Sequence, residues 1–269
     1  MRFEEAKGLR IPKVGFGTWS IGGDSLADHR RDQASLAALR SALDIGYRHF
    51  DTAESYADGH CEQLLGQAIR DSDVNREDLF ITSKVKPENL TTQRTREACE
   101  KSLRRLGLEY LDLYLIHWPN RALRLEDTFQ GLNQLVRERK VHHLGVSNFD
   151  LEMLKRAMSL SESPILTNQV PYSVMERTYA ENGVLEYCQA HDVLLTAYSP
   201  LEQKGLRMGR GLGKVAQARS LTVHQTAIAW LCSQDRVITI PMSGDSQHQR
   251  DNIAAADVVL TASELAEIA

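Results

Sequence analysis

An alternation kept from end to end constrains this chain more than any single motif. Eight short β-rich runs, KVGFGT, YRHFDT, LFITSK, LDLYLIH, VHHLGVS, ILTNQV, VLLTAYS and RVITIP, are separated by stretches of helical periodicity. Several runs are continuously apolar between turn or polar residues, the pattern of parallel strands covered on both faces. Between them, residues 30–45 place Ala34, Leu36, Ala37, Leu39, Ala42 and Leu43 largely on one face. Residues 92–106 carry TREACEKSLRRL, and residues 222–234 read TVHQTAIAWLCSQ with Thr222 as N-cap. Eight strands with helical connections predict an α/β fold, a closed (β/α)8 TIM barrel, which occupies about 250 residues. A doubly wound open sheet would give the same alternation. The 269 residues contain no evident linker, repeat or low-complexity tract, so one barrel domain over 1–269 is expected. The segment ahead of Pro12 is extra and suits a short N-terminal hairpin under the barrel.

Composition narrows the function classes. Hydrophobic residues make up 42% of the chain and charged ones 25%, enough apolar material for a sizeable core. The net charge is −4 and the basic residues are interleaved with acids, which argues against nucleic-acid or membrane-surface partners. MRFEEAKGLRIPK lacks an apolar leader region and no stretch approaches 18 apolar residues, so a cytoplasmic protein, monomeric or weakly oligomeric, is expected. Cys61, Cys99, Cys188 and Cys232 show neither Cys-x-x-Cys pairing nor metal-ligand spacing and read as free thiols.

Catalytic groups of such a barrel project from the C-terminal ends of its strands. There the sequence places Asp51 and Tyr56, Lys84, His117 followed by Trp118, Ser147-Asn148, Gln169, and Tyr198-Ser199. Each alone has a structural reading as a turn cap, a surface lysine or a packing ring. Together an acid, a lysine, a tyrosine and a histidine from consecutive strands form a proton-transfer set. A tyrosine hydroxyl ionises near pH 10, so a neighbouring ammonium is expected to lower its pKa, and an aspartate to keep that ammonium charged.

GFGTW, HFDTAESY, ITSKV, DLYLIHWP, GVSNF, TNQVPY and AYSPL, in that order, resemble the aldo-keto reductase family from Val14 to about Asn252. The resemblance implies an extended nicotinamide dinucleotide bound without a Rossmann unit, and neither GFGTWS nor GRGLG has the context of a dinucleotide fingerprint. It implies hydride transfer to a substrate carbonyl with Tyr56 as proton donor, Lys84 and Asp51 behind it, and His117 orienting the carbonyl. It gives Ser147, Asn148 and Gln169 to the carboxamide and the Tyr198 ring to the nicotinamide face. Ser199, Pro200 and Leu201 continue that wall. Gly17, Thr18 and Trp19 line the mouth, with Trp19 and Trp118 as substrate-pocket walls. Relatives that reduce steroid double bonds replace the histidine, so His117 implies carbonyl reduction. The loop after Trp118 is short and the chain ends at LTASELAEIA, where a segment covering the mouth would otherwise follow. An open pocket for small aldehydes, ketoaldehydes or keto sugars is therefore expected.

The stretch ITIPMSGDSQHQRDNI departs from the pattern. Where the family has Lys-Ser, then an arginine, an acid and Asn, this chain has Met242, Ser243, His248, Asp251 and Asn252. An adenosine end is still expected here, with backbone N–H groups of a helix starting near Gln247 facing a phosphate. The cation pair for a 2′-phosphate is gone, which predicts ~10²–10⁴-fold weaker NADPH binding unless compensated. Arg250, Lys204, Arg207 and Arg210 are candidate substitutes, and Asp245 would suit a ribose hydroxyl. NADP(H) is expected on family habit, with NAD(H) or dual use open. Two further readings are a non-catalytic nucleotide-binding regulatory subunit and a metal-dependent barrel hydrolase. His142-His143 is a poor ligand set for the latter, and no metal is expected.

Overall fold

The computed structural model describes residues 2–201 and 210–268. Lys204 and Arg207 lie outside the described residues, and Arg210 opens the helix Arg210–Arg219. Two strands, β1 (Phe3–Ala6) and β2 (Leu9–Pro12), pair antiparallel as the expected hairpin. Eight more follow: β3 (Phe16–Gly17), β4 (His49–Asp51), β5 (Phe80–Val85), β6 (Leu111–Ile116), β7 (Val141–Ser147), β8 (Ile165–Pro171), β9 (Leu194–Tyr198) and β10 (Val237–Thr239). All are parallel and in sequence order, and a bridge from Val14 to Thr239 closes the ring. Gly15 N–H donates to the Thr239 carbonyl and Thr239 N–H to that of Lys13, each at 2.8 Å. The fold is thus the closed (β/α)8 barrel, not the open sheet. Closure explains Gly17: its N–H meets the Pro241 carbonyl, and a Cβ there would lie 2.4 Å from the Ile240 carbonyl oxygen.

Strand alternation builds the interior in layers. Leu113 and Leu115 of β6, Leu166 of β8, Leu194 of β9 and Ile238 of β10 form an apolar plug with Ala6 and Ile11 of the hairpin. The hairpin therefore caps the plug from below. Above it the inward groups turn polar: Thr167 meets Thr196 at 2.8 Å and His49 meets Thr82 at 3.3 Å. Outward residues such as Tyr114, Leu144 and Val146 join the helices in the main core.

The helices follow the sequence reading with one correction. Thr92–Leu106 and Val223–Ser233 form as expected, the latter behind a reciprocal capping box of Thr222 and Gln225. On Asp32–Ile45 the buried stripe is Ser35, Ala38, Leu39, Ala42 and Leu43, while Ala34 and Ala37 are exposed. Alanine is too small to mark a face, and the i, i+3, i+4, i+7 rule through Leu39 selects Ser35 and Ala38 instead. Among the described residues no helix is long and apolar enough to cross a membrane.

Candidate active site

The polar strand ends converge on a cavity of about 690 Å³. At its base Lys84, fully buried on β5, donates to an Asp51 carboxylate oxygen of β4, to the Thr52 carbonyl at 2.9 Å and to the Tyr56 hydroxyl at 3.1 Å. Gln169 Nε2 of β8 donates to the other Asp51 oxygen at 2.8 Å. All three ammonium hydrogens have a partner, and the acid is held from both sides. Tyr56 projects from a short turn, Tyr56–Gly59, in which Ala57 and Asp58 are left-handed with φ of 49° and 51°. Trp19 and His117 each meet its ring edge-on, at centroid distances of 5.0 and 5.5 Å.

The electrostatics of this group differ from the sequence expectation in one respect. Burial pushes the Tyr56 hydroxyl up; Lys84 pulls it down and Asp51 pushes it up again, so the net shift is above the ordinary 10. The sequence reading expected a lowered value. Lys84 does act in that direction, but burial outweighs it and the Asp51 charge opposes it at the tyrosine. Burial also works against the Lys84 charge, yet Asp51 and Tyr56 outweigh it and hold the ammonium above its ordinary range. His117 is different: burial and then the Lys84 charge lower it to about 3, so the ring is neutral at physiological pH. Its Nδ1 lies 3.1 Å from Ser55 Oγ. If that hydroxyl donates to Nδ1, Nε2 carries the hydrogen and is the ring's donor.

A polar wall stands beside this group. Ser147 Oγ donates to the Gln169 carbonyl at 2.8 Å. The Asn148 amide donates to the His117 carbonyl at 3.0 Å and accepts from the Tyr198 hydroxyl at 2.9 Å. Asn148 and Ser199 adopt positive φ, 62° and 50°, which turns the chain sharply at the ends of β7 and β9, on either side of β8. The cavity is lined by Gly17, Thr18, Trp19, Asp51, Tyr56, His117, Trp118, Ser147, Asn148, Gln169, Tyr198, Ser199, Pro200 and Leu201, all named from the sequence. Lys84 lies behind Tyr56 rather than on the surface of the cavity. Trp19 and Trp118 are large exposed apolar groups on its rim. Sequence reasoning missed Ser55, Lys86 and Glu88, which also line it. Lys86 carried a signal, since it follows Lys84 by two and so faces the same side of the chain as β5 runs out. All four cysteines are free and buried; Cys61, closest to the site, donates to Thr18 and burial raises it to about 11. His142 and His143 sit at the start of β7 and do not line the cavity.

The remaining predicted residues follow β10. Ile240, Pro241 and Met242 close the cavity wall, while Ser243, His248, Asp251 and Asn252 continue onto the turn and the helix Ser246–Ala254. Asn252 is buried and His248 exposed. Here the structure corrects a second expectation. Asp245 is the N-cap, and its Oδ1 accepts from Gln247 N–H at 2.8 Å and His248 N–H at 2.9 Å. These are the backbone donors expected to face a phosphate, and a carboxylate of this chain already holds them. Arg250 is exposed and reaches Ser246 Oγ at 3.2 Å.

Known proteins match this chain in sequence and fold over nearly its whole length. Residues 13–269 match the model of the Aldo/keto reductase family. Methylglyoxal reductase YeaE of Escherichia coli (strain K12) is 38% identical, covering 96% of this chain and 90% of its own length. A thermostable aldo-keto reductase crystallised with the inhibitor epalrestat superposes with a TM-score of 0.96 at 40% identity, covering 100% of this chain and 98% of that one. An aldo/keto reductase of Klebsiella pneumoniae in complex with NADP and acetate superposes at 0.87 with 37% identity, covering 98% and 92%. Barrel, site and relatives agree: the chain belongs to the aldo/keto reductase family and is an NAD(P)H-dependent oxidoreductase that reduces carbonyl compounds.

Proposed function

We propose that the cavity reduces a small aldehyde or ketone to the alcohol, with Tyr56 as the proton donor. The observation that carries this reading is the Tyr56 hydroxyl, placed between the cavity and the buried Lys84 ammonium 3.1 Å away. The fit to a nicotinamide rests on the wall of Ser147, Asn148, Gln169 and Tyr198, amide and hydroxyl groups beside an aromatic ring, which match a flat carboxamide-bearing ring. A cavity of about 690 Å³ has room for that ring and a small carbonyl compound together. The nicotinamide, when bound, supplies a hydride to the carbonyl carbon. Tyr56 gives its proton to the carbonyl oxygen as charge develops there, and the Lys84 ammonium stabilises the tyrosinate left behind. Asp51 and Gln169 hold Lys84 in place. His117, neutral at working pH, cannot be the acid; with Ser55 on Nδ1 it donates from Nε2 and orients the oxygen.

Methylglyoxal and similar ketoaldehydes are the proposed substrates, supported by the relative that reduces methylglyoxal and by the two exposed tryptophans at the rim. For the cofactor, we infer that both NADPH and NADH are used, NADPH somewhat better. The NADP-bound relative supports the preference; Met242, His248 and the Asp245 cap support its being narrow. A panel of methylglyoxal, benzaldehydes and keto sugars, followed by loss of reduced-cofactor absorbance with each cofactor, tests the reading. Tyr56→Phe should lower kcat about 10²–10⁴-fold with cofactor binding retained. Consumption of neither cofactor with any substrate, or a Tyr56→Phe protein as active as the wild type, would exclude it.

A further inference from the structure

Outside the cavity, His29, Asp32 and His60 each offer one ligand atom, all within 4.8 Å of one another. His29 Nδ1 lies 3.3 Å from Asp32 Oδ2, and His60 Nε2 lies 2.7 Å from Asp32 Oδ1. The two imidazole rings meet edge to face, with centroids 4.4 Å apart. The orientation of His60 is set from behind, where its Nδ1 faces Gln63 Oε1 at 2.9 Å. With an acceptor there, the neutral ring carries its hydrogen on Nδ1 and directs the Nε2 lone pair at a carboxylate oxygen. Two lone pairs 2.7 Å apart call for a positive centre between them, a proton on His60 in the metal-free protein and a cation when one is bound. A histidine whose second nitrogen donates to a carbonyl oxygen while the first faces an anionic donor is the usual outer arrangement of a metal ligand.

Neighbouring charges leave the group to itself. Arg30 pairs with Asp28, and Arg31 with Asp24 and Asp28, so neither arginine neutralises Asp32. Three donors of the N,N,O type suit a borderline divalent cation such as Zn²⁺. Bonds near 2.1 Å in a tetrahedron put donors roughly 3.4 Å apart. His29 Nδ1 and His60 Nε2 approach opposite oxygens of Asp32, at 3.3 and 2.7 Å, so side chains must shift for one oxygen to ligate, within a cluster whose ligand atoms lie within 4.8 Å of one another. The His29 side chain is 74% exposed, which leaves the fourth position to water.

We propose that His29, Asp32 and His60 bind one zinc-type divalent cation and clasp two pieces of the pocket wall together. His29 and Asp32 end the segment that carries Trp19, folded back through Asp28 N–H to the Gly22 carbonyl at 2.7 Å. His60 begins the helix that follows Tyr56. The cation therefore fixes the Trp19 loop relative to the tyrosine it packs against.

The test uses untagged protein stripped with a chelator and titrated with Zn²⁺ alone in a calorimeter, with melting temperature measured in parallel. The wild type should bind one equivalent and melt higher with Zn²⁺ than without; Mg²⁺ should do neither. His29→Ala should weaken Zn²⁺ binding at least ~10-fold and abolish the melting shift. Gln63→Leu, which leaves all three ligands in place, should weaken binding roughly 10–100-fold. Absence of saturable binding at one equivalent in the wild type would overturn the site. So would affinity unchanged in both variants, which would assign any zinc taken up to other histidines.

Discussion

Replacing Met242 with lysine and His248 with arginine restores two cations beside the turn that follows β10, and the effect on cofactor choice follows from the geometry. Met242 lines the cavity and His248 lies exposed on the first turn of Ser246–Ala254. A charged contact to a phosphate contributes roughly 1.5–3 kcal/mol when sheltered. Both positions are open to water, and screening brings such pairs to about 1 kcal/mol or less. Asp245, at the start of the same helix, competes for each new cation. Two contacts of about 0.5–1 kcal/mol each give roughly a 5- to 30-fold gain, below the 10²–10⁴ that unscreened contacts imply. NADH lacks the 2′-phosphate and should be unaffected. The assay is kcat/KM for each cofactor at saturating aldehyde, and the NADPH/NADH ratio should rise by that factor in the double variant and shrink with added salt. Asp245→Asn keeps a capping side chain but removes the charge, so it should shift the ratio modestly the same way. A ratio unchanged in Met242→Lys/His248→Arg would refute the assignment of this turn to the ribose phosphate.

Lys84→Met leaves the Asp51 carboxylate buried without its cation, and should cost about 3–5 kcal/mol in urea unfolding as well as activity. Gly17→Ala drives a methyl group against the Ile240 carbonyl, 2.4 Å from the ideal Cβ, and should cost about 1–3 kcal/mol by the same measurement. Burial lowers His49 from its ordinary 6.5 to about 4, with Asp51 opposing and Lys84 adding. The unfolded chain therefore binds the extra proton first as pH falls, so stability contributed by neutral His49 is full above 6.5 and declines toward pH 4. From pH 7 to 5 this amounts to about 2 kcal/mol, which a His49→Gln protein should not lose; equal pH slopes for the two proteins would contradict it.

What could be read from the sequence divides along a physical line. Strand alternation fixes which residues face inward, so Asp51, Lys84, His117, Gln169 and Tyr198 were legible at strand ends; all but Lys84 line one mouth, and Lys84 lies just behind it against Tyr56. The same alternation reaches Lys86, passed over because it stands one step beyond the motif that drew attention to Lys84. Ser55 was not legible: its contact with His117 spans 62 residues and forms from a loop that no strand alternation places. The tyrosine pKa was misjudged because pairing was counted and burial was not, although the aspartate that secures the lysine also screens it.

The turn after β10 shows why local chemistry can outrank a motif. An aspartate just ahead of a helical stretch is first of all an N-cap, since its own backbone neighbours are always present and a ligand is not. Asp245 takes that role and occupies the donors of Gln247 and His248. A phosphate approaching this helix meets a carboxylate before it meets open N–H groups. On the proposed reading, phosphate affinity here would come from side chains added around the cap, so substitutions at positions 242 and 248, rather than in the helix itself, are the ones expected to move cofactor preference.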